Sequence, residues 1–314
     1  MKKLELLFFL ILLVFFIVSC KESVESDITK QIELEEDYTI DANGDLYIKV
    51  GDQPSILEIN ALPDSQIIQD ERQRLLILSD PSDQYQHGVL GDDLEATSVT
   101  FVQLSDQPVV ISKFSVAQDW VIESIRPIWS DWDGDGEREI VLTLSNSSNG
   151  AKLVLYDENG INLAESLPIG KGFRWRHALA ISAFGEEGQR LLVDVQTPHI
   201  GGIVSFYRWD KEKELLITEA TRSSYSTHDI GSRAMKMYTL MRDEESKQVL
   251  LIVPNQSKKE LVALRFESGV IHEEWRIPLE GRLSGNLELI DYNGVRTIRT
   301  FVDNNQEVLL NIPE

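Results

Sequence analysis

The sequence predicts an all-β fold made of repeated four-stranded units, and three observations carry that expectation. From Tyr38 onward, short apolar runs alternate with polar positions and are cut by turn residues, with almost no helical periodicity. Runs that open each unit, at 125–129, 178–182 and 234–238, stand 53 and 56 residues apart. The aromatic–acid pairs Tyr156-Asp157, Trp209-Asp210 and Phe266-Glu267, which share no residue with those runs, stand 53 and 57 apart. A period in the fifties with about four strands is that of a β-propeller blade. Residues 37–314 are therefore expected to form one propeller of five to seven blades, with six fitting best.

Residues 1–19 carry two lysines, an apolar run over 6–18 and a small residue, Ser19, before Cys20. That is the anatomy of a secretory signal peptide. Ile17-Val18-Ser19-Cys20 resembles a bacterial lipobox, in which the cysteine is acylated and becomes the first residue of the mature chain. The expectation is an exported lipoprotein attached through Cys20 to a membrane of the cell envelope, the outer membrane if the host is Gram-negative. An ordinary signal or a membrane span is the alternative, and the run is short for a span. Cys20 is the only cysteine, so no disulfide is available to the fold. Residues 20–36 are polar and acid-rich and read as a flexible tether.

Strands are expected first at 46–50, 56–61, 75–78 and 98–103, ahead of the measured repeat. Asp41-Ala42-Asn43-Gly44, Asp157-Glu158-Asn159-Gly160, Glu267-Ser268-Gly269 and Asp291-Tyr292-Asn293-Gly294 are flanked by β-formers and read as hairpin turns. The last unit shows three good runs, at 287–290, 295–302 and 308–312. A ring would gain a fourth strand there from the N-terminal segment, which removes two exposed edges at once.

One stretch carries chemistry. Asp131-Trp132-Asp133-Gly134-Asp135-Gly136-Glu137-Arg138-Glu139 runs straight into the apolar Ile140-Val141-Leu142. Alternate aspartates, two glycines and a ninth-position acid form an oxygen-lined pocket for a hard cation, Ca2+ fitting best. Asp131, Asp133, Asp135 and Glu139 would supply carboxylates and Glu137 a carbonyl, while Gly134 and Gly136 permit positive φ. An EF-hand would need a bidentate acid at the twelfth position, which here is Leu142 within a strand-like run. The alternative is a solvated acidic turn, although five acids in nine residues repel unless a cation compensates. The segments 184–188, 243–246 and 291–294 occupy the same slot with the ligand set eroded, so one full site is expected.

His87, His177, His199 and His228 are read as connector residues, with Glu95, Glu123, Arg176 and Arg233 on similar approaches. In a propeller these connectors converge on the mouth of the central channel, which makes Glu95, Glu123, Arg176, His177, His228 and Arg233 candidate ligand contacts. The competing role is to tie connectors together by hydrogen bonds. No nucleophile elbow or phosphate-cradling glycine loop is present, and the six tryptophans are read as packing residues rather than a sugar platform. The 52 acids against 30 bases give a net charge of −22, which argues against a nucleic-acid partner and against docking on anionic head groups.

The loop pattern D-x-D-G-D-G-x-x-[DE] resembles that of FG-GAP repeats, as in integrin-α-like propellers. Residues 85–92, 170–177, 197–202 and 228–233 extend a similarity to bacterial exported FG-GAP/VCBS-type repeat proteins over most of the chain from Tyr85. The resemblance implies a propeller with calcium in inter-strand loops and implies no activity. The eroded loops at Asp243 and Asp291 depart from it. The first expectation is thus a non-enzymatic, lipid-anchored binding or scaffolding propeller whose partner is an unidentified envelope protein or polymer. The competing expectations are a propeller enzyme, either a lyase or hydrolase of extracellular polymer or a quinoprotein-type dehydrogenase, and an outer-membrane assembly lipoprotein.

Overall fold

The computed structural model describes residues 38–50, 53–243, 246–303 and 305–313; the signal segment, Cys20 and the tether lie outside them. The chain divides after Thr39 into two compact units. Of the first, only Tyr38 and Thr39 are described, at the start of β1, and β2 onward belongs to the second, Ile40–Glu314.

The described residues are all-β, with one 3-10 turn at Glu186–Gly188 and no α-helix. The strands come in consecutive antiparallel groups. First come β1 (Tyr38–Ile40), β2 (Asp45–Val50) and β3 (Gln53–Glu58), then β4 (Ile68–Gln69), β5 (Arg74–Ser82), β6 (Glu95–Gln103) and β7 (Val109–Ser115). A third group holds β8 (Val121–Ile122), β9 (Ile128–Ser130), β10 (Glu139–Asn146), β11 (Gly150–Tyr156) and β12 (Asn162–Glu165). The fourth is β13 (Arg176–Ser182), β14 (Leu191–Gln196), β15 (Ile203–Asp210) and β16 (Leu215–Ser223). The fifth is β17 (Thr239–Arg242), β18 (Val249–Pro254), β19 (Glu260–Glu267) and β20 (Val270–Pro278), and the last is β21 (Glu288–Tyr292), β22 (Val295–Val302) and β23 (Gln306–Asn311).

Burial explains why the middle strands lose the expected alternation. Every residue of β18, Val-Leu-Leu-Ile-Val-Pro, is buried, as is all of β10 but its last residue, because both faces are covered. The outer strands β16, β20 and β23 instead alternate towards solvent. Four apolar clusters lie between successive groups. One joins Leu76, Val99 and Phe101 to Trp129, Leu142 and Val154, and another joins Val141 and Leu155 to Leu192 and Tyr207. The third packs Val193 and Phe206 on Leu251 and Phe266, and the fourth packs Ile252 and Leu261 on Leu283 and Ile298. Each such buried side chain contributes ~1.5–3 kcal/mol, so face-to-face sheet packing is the main source of stability.

The turn slots fall where the sequence places them: the cation loop joins β9 to β10, the segment 184–188 joins β13 to β14, and Asp291-Tyr292-Asn293-Gly294 joins β21 to β22. Three expectations are corrected. The run 234–238 is not a strand, because Lys236 turns its backbone to the next group, accepting from Leu287 N at 2.7 Å and donating to Asn286 Oδ1 at 2.9 Å, and pairing with β18 begins only at Thr239. The run 125–129 pairs only from Ile128, after Pro127, which has no N–H to give a ladder. His177 lies inside β13 rather than in a connector, opposite Val195.

Candidate functional site

Antiparallel alternation sorts the loops into two ends. Turns from first to second strand and from third to fourth strand lie at one end; turns from second to third strand, and the connectors between groups, lie at the other. The cation loop is at the first end, and the histidines at 87, 177, 199 and 228 gather at the second.

At the first end, Asp131 accepts the amides of Gly134 and Gly136 at 2.7 and 3.2 Å, one on each carboxylate oxygen. Asp133 accepts from Asp135 N at 3.1 Å and from Lys211 Nζ, and Asp135 accepts from Glu137 N at 2.8 Å. Gly134 and Gly136 hold φ of 81° and 91°, which a residue with a Cβ rarely adopts. Arg190 fixes the Asp131 carbonyl, and Trp132 packs beneath the loop while donating from Nε1 to Arg190 O at 3.0 Å. Carboxylate oxygens of Asp131, Asp133 and Glu139 all lie within 4.8 Å of one another. Of the expected ligand set, Asp135 and Glu137 remain exposed, and the Glu137 carboxylate pairs with Arg72 at 3.1 Å.

Glu139 tests whether this pocket suits a cation. It is 5% exposed and accepts from Trp132 N at 2.7 Å, but no Lys or Arg pairs with it among the described residues. Burial pushes its carboxyl up to about 7, and the charges of Asp133, Asp135 and Asp131 add to that push. A buried acid held in a field of like charge is the donor set a divalent cation neutralises, so the residues fit Ca2+.

At the second end the aromatic rings stack around Trp175. His177 lies 5.0 Å from it and His199 5.9 Å, both nearly parallel, while His228 meets it edge-on at 4.7 Å. Trp175 Nε1 donates to Glu123 O at 2.8 Å. Glu123 is fully buried between His87 Nδ1 and Ser145 Oγ, and burial raises its carboxyl against the pull of both partners. Glu95 is pushed up to about 10 by burial, then by the charges of Glu123, Asp64 and Asp92, so it is neutral at pH 7. Its Oε2 has no protein partner among the described residues. Arg233 closes this side, donating to Asp64 at 2.8 Å and to Asp92 at 2.5 Å.

The structure thus brings Glu95, Glu123, His177, His228 and Arg233 into one region, but Arg176 leaves it. Successive side chains of a strand point to opposite faces, so Arg176 is directed into the interior, where it donates to Asp194 at 2.7 Å, Ser166 at 2.7 Å and Leu167 O at 3.2 Å, and also to Tyr207. Between the opening segments, Arg126, Ile128, His177, Leu179, Met235 and Tyr238 leave a space of only about 10 Å³, the room of a single water. Beside His228, however, lies an open pocket of about 380 Å³ with His199, Asp229, Lys258 and Arg282 in its wall. Lys258 and Arg282 were not among the expected site residues. The nearest sequence signal was His199-Ile200-Gly201 beside His228-Asp229-Ile230-Gly231, two connectors of like composition.

No family model and no curated protein matches the chain. Among solved structures it is similar to BBS1N in complex with ARL6DN, with a TM-score of 0.48 and 10% identity over 87% of this chain and 73% of that one. A protein of unknown function from Bacteroides caccae gives 0.39 and 10%, over 77% and 73%. The exotype rhamnogalacturonan lyase YesX gives 0.45 and 10%, over 90% of this chain and 59% of that one. With TM-scores below 0.5, none of these likenesses carries an activity or a partner to this chain.

Proposed function

We propose that the chain is a six-bladed β-propeller that binds or scaffolds at the cell envelope, exported and anchored by an acylated Cys20, with one Ca2+ held by Asp131, Asp133 and Glu139. The observation that carries the cation is the meeting of these three carboxylates within 4.8 Å around a buried acid, Glu139, that no Lys or Arg pairs with among the described residues. The blade count is supported by six consecutive strand groups among the described residues and by apolar cores that link the second group through to the sixth. A binding rather than catalytic role is supported by the hydrogen bonds that commit His177, His228 and Arg233 to their neighbours.

Thermal unfolding in EDTA and in calcium tests the cation. A ligand that binds only the native state adds about 2.7 kcal/mol at a hundredfold excess over its dissociation constant. Extracellular calcium modules bind at ~10⁻⁴ to 10⁻³ M, so millimolar calcium is expected to raise the midpoint, with magnesium a poor substitute. Asp133→Ala is expected to abolish that rise; its bond to Lys211, whose side chain is 58% exposed, accounts for less than about 1 kcal/mol of any further loss. Equal midpoints for the unaltered protein in EDTA and calcium would leave only an acidic turn. For the anchor, Cys20→Ser is expected to release the chain from membranes or leave it unprocessed, and a variant that is cleaved after Ser19 yet still sediments with membranes would refute it.

A further inference from the structure

The pocket beside His228 holds two cations against one carboxylate. Lys258 is only 1% exposed, and its Nζ donates to His228 O at 2.6 Å and to Asp229 Oδ1 at 2.8 Å. A protonated amine has three N–H donors, so one of them is left without a protein acceptor among the described residues. Arg282 engages both oxygens of the same Asp229, and its side chain stays 46% exposed. Asp303 takes the backbone amide of Arg282 at 2.9 Å, but it is exposed and outside the wall of the pocket. Within the wall the balance is therefore one positive charge in excess, in a chain whose net charge is −22.

The imidazoles add a directed acceptor. His228 Nε2 lies 2.8 Å from the carbonyl oxygen of Ser232, which can only accept, so that nitrogen carries the proton. The other nitrogen of the neutral ring must then accept, and it lies 3.0 Å from His199 Nε2, which donates to it. By the same exclusion, the Nδ1 of neutral His199 is a bare acceptor. Both rings are neutral at physiological pH because burial holds them down at about 4. Gln256 is tied to the backbone, its oxygen taking Gly202 N at 2.7 Å and one of its two N–H groups giving to Pro198 O at 3.1 Å, and as a neutral group it leaves the charge balance unchanged.

One spare lysine N–H, the free donors of an exposed guanidinium and one imidazole acceptor match a carboxylate with a hydroxyl beside it. A single excess positive charge suits a monoanion. A phosphate, at about −1.5 to −2 near pH 7, exceeds the single excess positive charge that the wall offers beside Asp229. The volume of about 380 Å³ is at the small end for ligand pockets and admits one sugar-sized molecule. We infer that this pocket binds a small hydroxylated monocarboxylate, of the sugar-acid class, with the carboxylate on Lys258 and Arg282 and a hydroxyl donating to His199. This deepens the binding role proposed above; the pocket is at the opposite end of the strands from the cation loop and needs neither calcium nor the anchor.

The test is calorimetric titration of the full-length protein at pH 7 with glucuronate, glucose and inorganic phosphate. Glucuronate is expected to bind saturably and at least tenfold tighter than either of the other two. Lys258→Met is expected to abolish binding, and Arg282→Gln, at an exposed side chain that leaves the fold intact, to weaken it about tenfold. Absence of glucuronate binding, equal affinity for glucose, tighter binding of phosphate, or an Arg282→Gln protein with unchanged affinity would each overturn the assignment. A protein that binds glucuronate equally in EDTA and in calcium, yet melts identically in both, would refute the cation loop and leave this pocket standing.

Discussion

Replacing Arg176 with methionine is expected to lower the unfolding free energy by about 3–5 kcal/mol at neutral pH, because it strands a buried charge. Arg176 is 2% exposed and its partner Asp194 is 0% exposed. The guanidinium directs its donors to Asp194, Ser166, Leu167 O and Tyr207, so it ties β13 to β14, β15 and the segment after β12. Asp194 Oδ1 already lacks a close partner among the described residues, and removing Arg176 would leave the buried carboxylate with only the hydroxyls of Tyr207 and Ser205 beside it and no opposite charge. The double variant Arg176→Met with Asp194→Leu is expected to recover most of the loss, since an apolar pair of similar volume carries no desolvation cost. Urea unfolding of the three variants measures this through the midpoint at constant slope. A loss below about 1 kcal/mol in the single variant would show that water reaches Asp194 and that the pair is not a structural tie.

Arg176 also marks where legibility from sequence stops. Its neighbour His177 is expected beside it at the channel mouth, but in a strand adjacent side chains take opposite faces, and no residue pattern marks Arg176 as the start of β13. What is legible is local. Alternating runs and turn residues depend on nearest neighbours, so the all-β class, the hairpin at Asp157 and the slot of the cation loop can be read directly. The stretch 234–238 cannot, because its backbone is claimed by Asn286 and Leu287, fifty residues away. β7 escapes for a similar reason: Val109 is 52% exposed, so its apolar residues show none of the inside–outside pattern that marks a half-buried strand. Lys258 stands in the polar run Asn255-Gln256-Ser257-Lys258-Lys259, which reads as a solvated turn, and only the tertiary placement of Asp229 and His228 O makes it a buried cation. In the same way, the His87–Glu123 pair spans 36 positions with no common spacing rule.

His228→Asn is expected to cost stability at pH 7.5 and to cost about 3 kcal/mol less at pH 4, because the native ring resists protonation. His228 is fully buried, and burial followed by the nearby Lys258 cation brings it down to about 4, against the pull of Ser232 O and Asp229. The unfolded chain takes up its proton near 6.5. A folded value below the unfolded one gives stability that is present above pH 6.5 and lost as the pH falls through the folded value. The window is therefore pH 6.5 to 4, and at its lower end the ring's preference for neutrality no longer favours the native state. The unaltered protein alone does not read this out, since Glu95 and Glu139, pushed up to about 10 and about 7, gain stability over the same descent. The difference between the protein and its His228→Asn variant isolates the ring, as the carboxylates are common to both. His199 titrates with it across a 3.0 Å bond, so the two act as a coupled pair and their effects are not to be added. Urea unfolding of both proteins at pH 7.5, 6, 5 and 4 supplies the difference directly. A difference that stays constant with pH would mean that His228 takes up protons as freely in the folded protein as in the unfolded chain, and the neutral imidazole chain from Ser232 to His199 would have to be abandoned.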